Sequence, residues 1–295
     1  MAAAPPARWR LRATSLSTSD HTLIMGVLNV TPDSFSDGGA FSSEGAPVDH
    51  GAAIAHGIRL YEQGADIIDI GGESTRPGSS PVSEEDEWVR VIPVVTGLAA
   101  AGIPVSVDTS KTRVAEAAIA AGAEVVNDIN ALRDPDMAAL CARTGVGTVL
   151  VHMQGTPATM QDDPQYGDVV LDVAAALQGA AVGAIAAGVA ADRVCLDPGI
   201  GFGKTIDHNI ALLNGLDRIA ELGYPVIVGT SRKGFLGSIL EEAGHPAVAA
   251  ERDAATGATL ALAIAHGASV VRVHNVVDAL QSARTTDAIV RRGQR

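Results

Sequence analysis

Cysteine is scarce in this chain, with only Cys141 and Cys195 among 295 residues. Neither sits in a CxxC pair or beside a cluster of histidines, so a disulfide framework and a structural zinc are both excluded and a reducing cytoplasm is expected. Positive charge is short as well: 21 Lys and Arg face 34 Asp and Glu, a formal net charge of −13. Nucleic acid or an anionic membrane would require a basic face, so neither is expected as a partner. An anionic small substrate would have to be met by a local group of cations. No uninterrupted apolar run reaches the ~18 residues of a membrane span.

What is present is an ordinary globular composition, 47% hydrophobic and 19% charged. Residues 1–20 carry Arg8, Arg10 and Arg12, no acid before Asp20, and many Ala, Ser and Thr. They have the flavour of a transit peptide but no apolar core of the kind a secretory signal needs, and are read as a flexible leader. The remaining residues, 21–295, are assigned to one domain. From Thr22 the chain alternates between short apolar runs and Ala-rich helical stretches. The runs at 23–30, 67–70, 104–107, 124–129, 148–151, 194–196, 225–228 and 269–273 suit buried parallel strands. Segments such as 169–187, 209–222 and 249–265 suit helices, and the pairs Gly64-Ala65, Gly122-Ala123 and Gly267-Ala268 read as helix C-caps. This α/β pattern predicts a (β/α)8 TIM barrel in a single domain, with a doubly wound open sheet as the alternative.

Polar residues collect at the strand ends: Asn29, Asp69, Glu73, Asp108, Asn127, Asp128, His152, Asp197, Ser231 to Lys233, Arg272 and His274. A barrel brings such ends to one rim, the usual place of its active site. The stretch LDPGIGFGK, residues 196–204, is the richest of them. A buried carboxylate at Asp197 costs free energy unless it is paired or presented to a ligand. Gly199, Gly201 and Gly203 would let something flat or large approach the backbone. The acid run 84–87 reads as a helix start, where negative charge favours the dipole.

The segments LNVTPDSFSDGG, GGESTRPG, VDTSK, NDI, HMQG, LDPGIGFGK, SRK and RVH appear in one order from Ile24 to Asn275. Taken together they resemble the dihydropteroate synthases, folate-biosynthesis enzymes and sulfonamide targets. The resemblance implies that p-aminobenzoate displaces pyrophosphate from a dihydropterin pyrophosphate to give 7,8-dihydropteroate. It implies that Asp197, Asn127 and Asp108 meet the pterin edge, with Lys233 donating to the ring, and that Met153 and Phe202 belong to the same pocket. It implies that Arg272 and His274 receive the pyrophosphate and that Asn29 is the protein ligand of Mg2+, although a turn former before Thr31-Pro32 is the other reading of Asn29. Phe35, Asp37, Thr75, Arg76 and Pro77 match positions of the p-aminobenzoate pocket, Ser231 counts among the substrate-binding residues, and Lys233, Arg272, His274, Asp33 and Asp37 among the catalytic ones, while Gly234 opens a helix whose free N–H groups would take the benzoate carboxylate. Segments 31–41 and 74–83 are long enough to be lids. The family's habit is a homodimer. Gly234 after SRK, Asn275 after RVH and Asn130 after NDI depart from the commonest pattern of the family. Two other functions fit parts of this pattern: a silent pterin-binding paralogue, which should have lost SRK, RVH or the loop motifs, and a corrinoid-dependent methyltransferase, which has no use for a pyrophosphate pocket.

Overall fold

The computed structural model describes residues 8–31, 48–74 and 81–292. Eight strands, β3 (Leu23–Asn29), β4 (Ile67–Gly71), β5 (Val105–Asp108), β6 (Val125–Asp128), β7 (Gly147–Val151), β8 (Val194–Asp197), β9 (Ile227–Val228) and β10 (Val270–Val273), form one parallel sheet. Its order runs from β8 through β3 to β10 and β9. A parallel bridge between Leu196 and Val226 joins the two ends, where Leu196 N donates to Pro225 O at 2.9 Å. The sheet is therefore a ring, as the alternation predicts, and the open-sheet alternative is set aside.

Helices α1 (His50–Glu62), α2 (Glu84–Ala100), α3 (Thr112–Ala120), α4 (Pro135–Thr144), α5 (Val169–Ala186), α6 (Ile206–Asn214), α7 (Leu216–Ala220), α8 (Gly234–Glu242), α9 (Asp253–Ala265) and α10 (Val276–Arg292) surround it. The stretch expected as one helix over 209–222 is broken at Gly215, which ends α6 and opens α7. Gly64, Gly122 and Gly267 follow helices at φ of 108°, 114° and 104°, where a Cβ would be strained. Helix α5 has 18 residues at mean hydropathy 1.9, so the chain does hold one segment as long and apolar as a membrane span. Its alanines raise the hydropathy, and the stripe Val169, Val173, Leu177, Ala181 and Ala184 is buried within the fold.

Two aliphatic clusters form the core. One lies between the strands and the helices, around residues such as Ile68, Ile70, Val91, Leu98 and Val107. The other contains the residues that alternate with them along the strands, including Met25, Ile67, Val125, Val149, Cys195 and Val270. Because side chains of successive strand residues point to opposite faces, this second set fills the barrel interior. The same parity sends Asp69, Asp108, Asn127, Asp197 and Arg272 inward.

The leader reading needs correction for residues 8–20. Strands β1 (Arg8–Arg10) and β2 (Ser15–Ser17) form an antiparallel hairpin. Trp9 and Leu11 are fully buried in the interior cluster, and Trp9 Nε1 donates to Arg193 O at 3.0 Å. Glu124 Oε2 accepts from Ala13 N, Thr14 N and Thr14 Oγ1, and Arg193 donates to the carbonyls of Leu11 and Gly145. The hairpin thus plugs the end of the barrel away from the polar rim. Each strand has three residues, too short to show a period in the sequence.

Candidate active site

The centre of the rim is a group of paired acidic and basic side chains with little access to solvent. Arg272, on β10, donates from Nε to Asp69 Oδ2 at 2.6 Å and from Nη2 to Asp108 Oδ2 at 2.8 Å. Asn127 Nδ2 donates to the same Asp69 oxygen at 3.1 Å. Asp69 sits in the middle of β4 and is fully buried, deeper than the strand-end position expected for it. Burial works against the charge of Arg272, but Asp69 and Asp108 outweigh it and hold the guanidinium above its ordinary range. Burial pushes the Asp108 carboxyl up to about 7, against the opposing pull of Arg272. Among the described residues, Asp69 Oδ1 and Asn127 Oδ1 are buried acceptors without a partner. Such atoms are costly when nothing donates to them.

Asp197 ends β8, where it is buried and accepts from Gly199 N at 2.7 Å. Burial raises its pKa, opposed chiefly by Lys233. Lys233 extends over the ring of Phe202, 4.3 Å from its centroid, and donates to Ile200 O. Burial brings the Lys233 ammonium down to about 8, with Asp197 pulling the other way. Ser231 Oγ lies 2.9 Å from His274 Nδ1 and accepts from His274 N at 3.1 Å, which joins the end of β9 to the end of β10. Met153 is buried in the interior cluster beneath the rim. Gly234 is the first residue of α8, and a Cβ there would meet nothing within 4 Å.

The glycines of residues 199–203 serve a purpose different from the one expected. All three have positive φ, 65°, 83° and 62°. A Cβ on Gly199 would overlap the carbonyl of His152, one on Gly203 would lie 2.7 Å from Gln154 O, and one on Gly201 would press on the Lys233 chain. The close approach is thus made by the protein's own segment 152–154, which leaves the loop fixed against β7. Its polar groups are individually held: Gly201 N by Asn209, Gly201 O by Gln161, Phe202 O by Lys204 and Gly203 O by Tyr166.

Three further residues were missed as site components by sequence reasoning. In the sequence Asp69 reads as one polar strand residue among many, and its inward parity is the signal that marks it. Lys204 is buried, bonds Phe202 O at 2.9 Å and lies 3.0 Å from His152 Nδ1. Burial lowers Lys204 to about 7 and, with help from Lys204, lowers His152 to about 3, so the imidazole is the neutral acceptor of that pair. Glu87, within the run read as a dipole-favouring helix start, is buried and shares the Lys111 ammonium with Glu73. Its partner is on α3's leading edge, a contact no local pattern announces. Asp33, Phe35, Asp37, Thr75, Arg76 and Pro77, and most of the two expected lids, lie outside the described residues.

Asn29 closes β3 at the rim, half buried, with its Oδ1 next to Gly71. No group of three or more His, Cys, Asp or Glu side chains among the described residues could cage a metal. A carboxamide oxygen by itself suits a hard cation that keeps its waters and shares phosphate oxygens. A cavity of about 320 Å3 also opens between α5 and residues 131–133; apart from Arg133 and His152 its lining is aliphatic or glycine.

The barrel mouth thus sets carboxylate and carboxamide acceptors among buried cations, and the family of pterin binding enzymes matches residues 25–274. The chain is 45% identical to the dihydropteroate synthase of Neisseria meningitidis serogroup C, over 89% of its own length and 92% of that protein. Among solved structures, Xanthomonas albilineans dihydropteroate synthase with 4-aminobenzoic acid superposes with a TM-score of 0.86 at 42% identity, covering 96% of this chain and 98% of that one. The Burkholderia cenocepacia enzyme complexed with 7,8-dihydropteroate gives 0.86 at 38% identity, with 98% of both chains covered. The chain belongs to the pterin binding enzymes, and within them to the dihydropteroate synthases.

Proposed function

We infer that the protein condenses 6-hydroxymethyl-7,8-dihydropterin pyrophosphate with p-aminobenzoate, releasing pyrophosphate and 7,8-dihydropteroate. The observation that carries this reading is Asn127 Oδ1, a buried acceptor without a partner among the described residues, at the same rim as the buried Asp197 and Lys233. A pterin edge offers an amino group and ring N–H donors, which Asp197 and Asn127 would accept. Lys233, above Phe202, would donate to the ring carbonyl and neighbouring nitrogen.

In the reaction the aniline nitrogen bonds to the pterin methylene, the C–O bond to pyrophosphate breaks with its electron pair on the leaving oxygen, and the nitrogen loses a proton. No covalent nucleophile is needed. Burial pushes the Cys141 thiol up to about 12 and Cys195 well above its usual value, so neither supplies a thiolate. The chain contributes position and charge instead. His274, oriented by Ser231, and the edge of Arg272 not committed to Asp69 and Asp108 would receive the leaving phosphates. Mg2+, when bound, would neutralise the pyrophosphate, and Asn29 would hold it. Gly234, Ser231 and the loop residues Thr75, Arg76, Pro77 and Phe35 would receive p-aminobenzoate, with Asp33 and Asp37 on the catalytic loop.

The family's habit supports a homodimer. Two buried free thiols suit the reducing cytoplasm. The test is pyrophosphate release from the purified protein with both substrates. Release that depends on p-aminobenzoate supports the enzyme; pterin binding without release would identify a silent paralogue, and methyl transfer from methyltetrahydrofolate to a corrinoid the third reading.

A further inference from the structure

Arg232 stands between Ser231 and Lys233 and has φ of 61°. That left-handed conformation is unfavourable for any residue with a Cβ and persists only where the surroundings over-determine it. The surroundings here come from the start of α9 and the turn before it. Arg232 Nε and Nη2 donate to Asp253 Oδ1 and Oδ2 at 2.9 and 2.8 Å, a two-pronged pair. Arg232 N donates to Thr256 Oγ1 at 3.2 Å. Arg252 Nη1 donates back to the carbonyls of Arg232 and Lys233, at 3.2 and 3.4 Å. The Arg252 guanidinium lies against Gly237, where a Cβ would sit 2.5 Å from Nη2 and displace it.

A third element completes the hold. Asn275, just ahead of α10, donates from Nδ2 to Asp253 Oδ2 at 3.0 Å and to Asp278 Oδ2 at 2.9 Å. An aspartate at 275 would have no proton to give either carboxylate. Arg232 therefore faces away from the barrel axis while its two neighbours face the site: Ser231 meets His274, and Lys233 reaches Ile200 O and the Phe202 ring.

We propose that the Arg232–Asp253 ion pair, steadied by Asn275, is a positioning device that holds residue 232 left-handed and so turns Ser231 toward His274 and Lys233 into the barrel mouth. None of the three would touch substrate. The pair acts on the chemistry through the direction of the 231–233 backbone, in a site where displacements of about 1 Å can cost on the order of 100-fold in rate. The role in catalysis rests on the dihydropteroate synthase reading; the role in placing Lys233 does not.

The experiment compares wild type with Arg232→Ala, Arg232→Gly, Asp253→Asn and Asn275→Asp. The readouts are kcat/KM for the dihydropterin pyrophosphate against pH, melting temperature, and the pH dependence of Lys233 acetylation by trace acetic anhydride. Lys233 must be protonated to donate, and it loses its proton at about 8 because it is buried near Arg272, with Asp197 and Asp108 opposing. Loosening the device lets solvent reach the ammonium, so the alkaline limb of activity and the acetylation midpoint should both move to higher pH. Arg232→Ala and Asp253→Asn should lose about tenfold or more in kcat/KM. Asn275→Asp should lose less and move the midpoint in the same direction. Arg232→Gly should recover part of what Arg232→Ala loses, because glycine takes a positive φ without a penalty.

An unmoved Lys233 midpoint in all variants, or equal losses for Ala and Gly, would overturn the proposal even if melting temperatures fall. Should the Arg232 and Asp253 variants not fold, Asn275→Asp decides by the same midpoint. Wild-type protein that releases no pyrophosphate would sink the functional reading, while the acetylation midpoints would still report on the device.

Discussion

Arg272 and Asp108 are 164 residues apart in sequence and share a hydrogen bond of 2.8 Å across the barrel interior. With Asp69 at 2.6 Å on Nε, the guanidinium is already committed on two sides before any phosphate arrives. This revises what a single substitution at Arg272 can report.

Arg272→Ala should impair the pyrophosphate substrate, but it should also leave the buried Asp69 without its cation. Breaking a buried pair in this way costs about 3–5 kcal/mol of stability. Arg272→Lys keeps the charge and loses the fork. We expect it to fold with a modest fall in melting temperature and to lose affinity for the pyrophosphate substrate more than for a pterin lacking pyrophosphate. Equal losses for the two ligands would make Arg272 purely a barrel residue.

Asp197→Asn should act on binding and on stability with opposite signs. Burial raises the pKa of Asp197, so its ionised form is a burden in the free protein and the amide should melt no lower than wild type. Pterin affinity should fall by about 2–5 kcal/mol, the cost of truncating a buried charged partner. Calorimetry with the pterin alone, beside a thermal melt, separates the two; retained affinity would remove Asp197 from the site.

Gly234→Ser and Gly234→Pro examine the start of α8. The N-cap residue Lys233 makes no side-chain cap, so the first N–H groups of the helix are available to a carboxylate such as that of p-aminobenzoate. Serine has room, because a Cβ meets nothing within 4 Å, and should leave the Michaelis constant for p-aminobenzoate unchanged or lower. Proline is tolerated at this helix position but removes the N–H, and should raise that constant with little effect on the pterin substrate. A constant untouched by proline in folded enzyme would place the carboxylate elsewhere.

Trp9→Ala addresses the barrel floor. The indole is fully buried and donates to Arg193 O, so its removal should destabilise the fold by about 3–5 kcal/mol. The Michaelis constants, set at the opposite rim, should hold at temperatures where the variant is folded. A melting temperature near that of wild type would mean the hairpin is not part of the cooperative unit.

The barrel and the strand ends that carry the site are legible in one dimension, because eight apolar runs separated by helix-length segments leave few other closures. Asp197, Lys233, Asp108, Asn127, Ser231 and His274 stand in motifs that are contiguous in the chain, and the structure gathers them at one end of the barrel. Who bonds whom was decided by the tertiary structure. Arg272 reads as a phosphate cation in RVH, and only ring closure brings β10 across from β4 and β5 to give it Asp69 and Asp108. The glycines of residues 199–203 read as space for a ligand, and only the adjacency of β7 shows that segment 152–154 fills it. Arg232 and Asp253 carry no shared motif, and Trp9 lies in a stretch too short and too basic to suggest burial. A strand's period and a motif's spacing are local properties that survive in one dimension. The pairing of charges across a closed ring depends on which strands become neighbours and on side-chain parity summed around it, and that is settled only when the chain has folded.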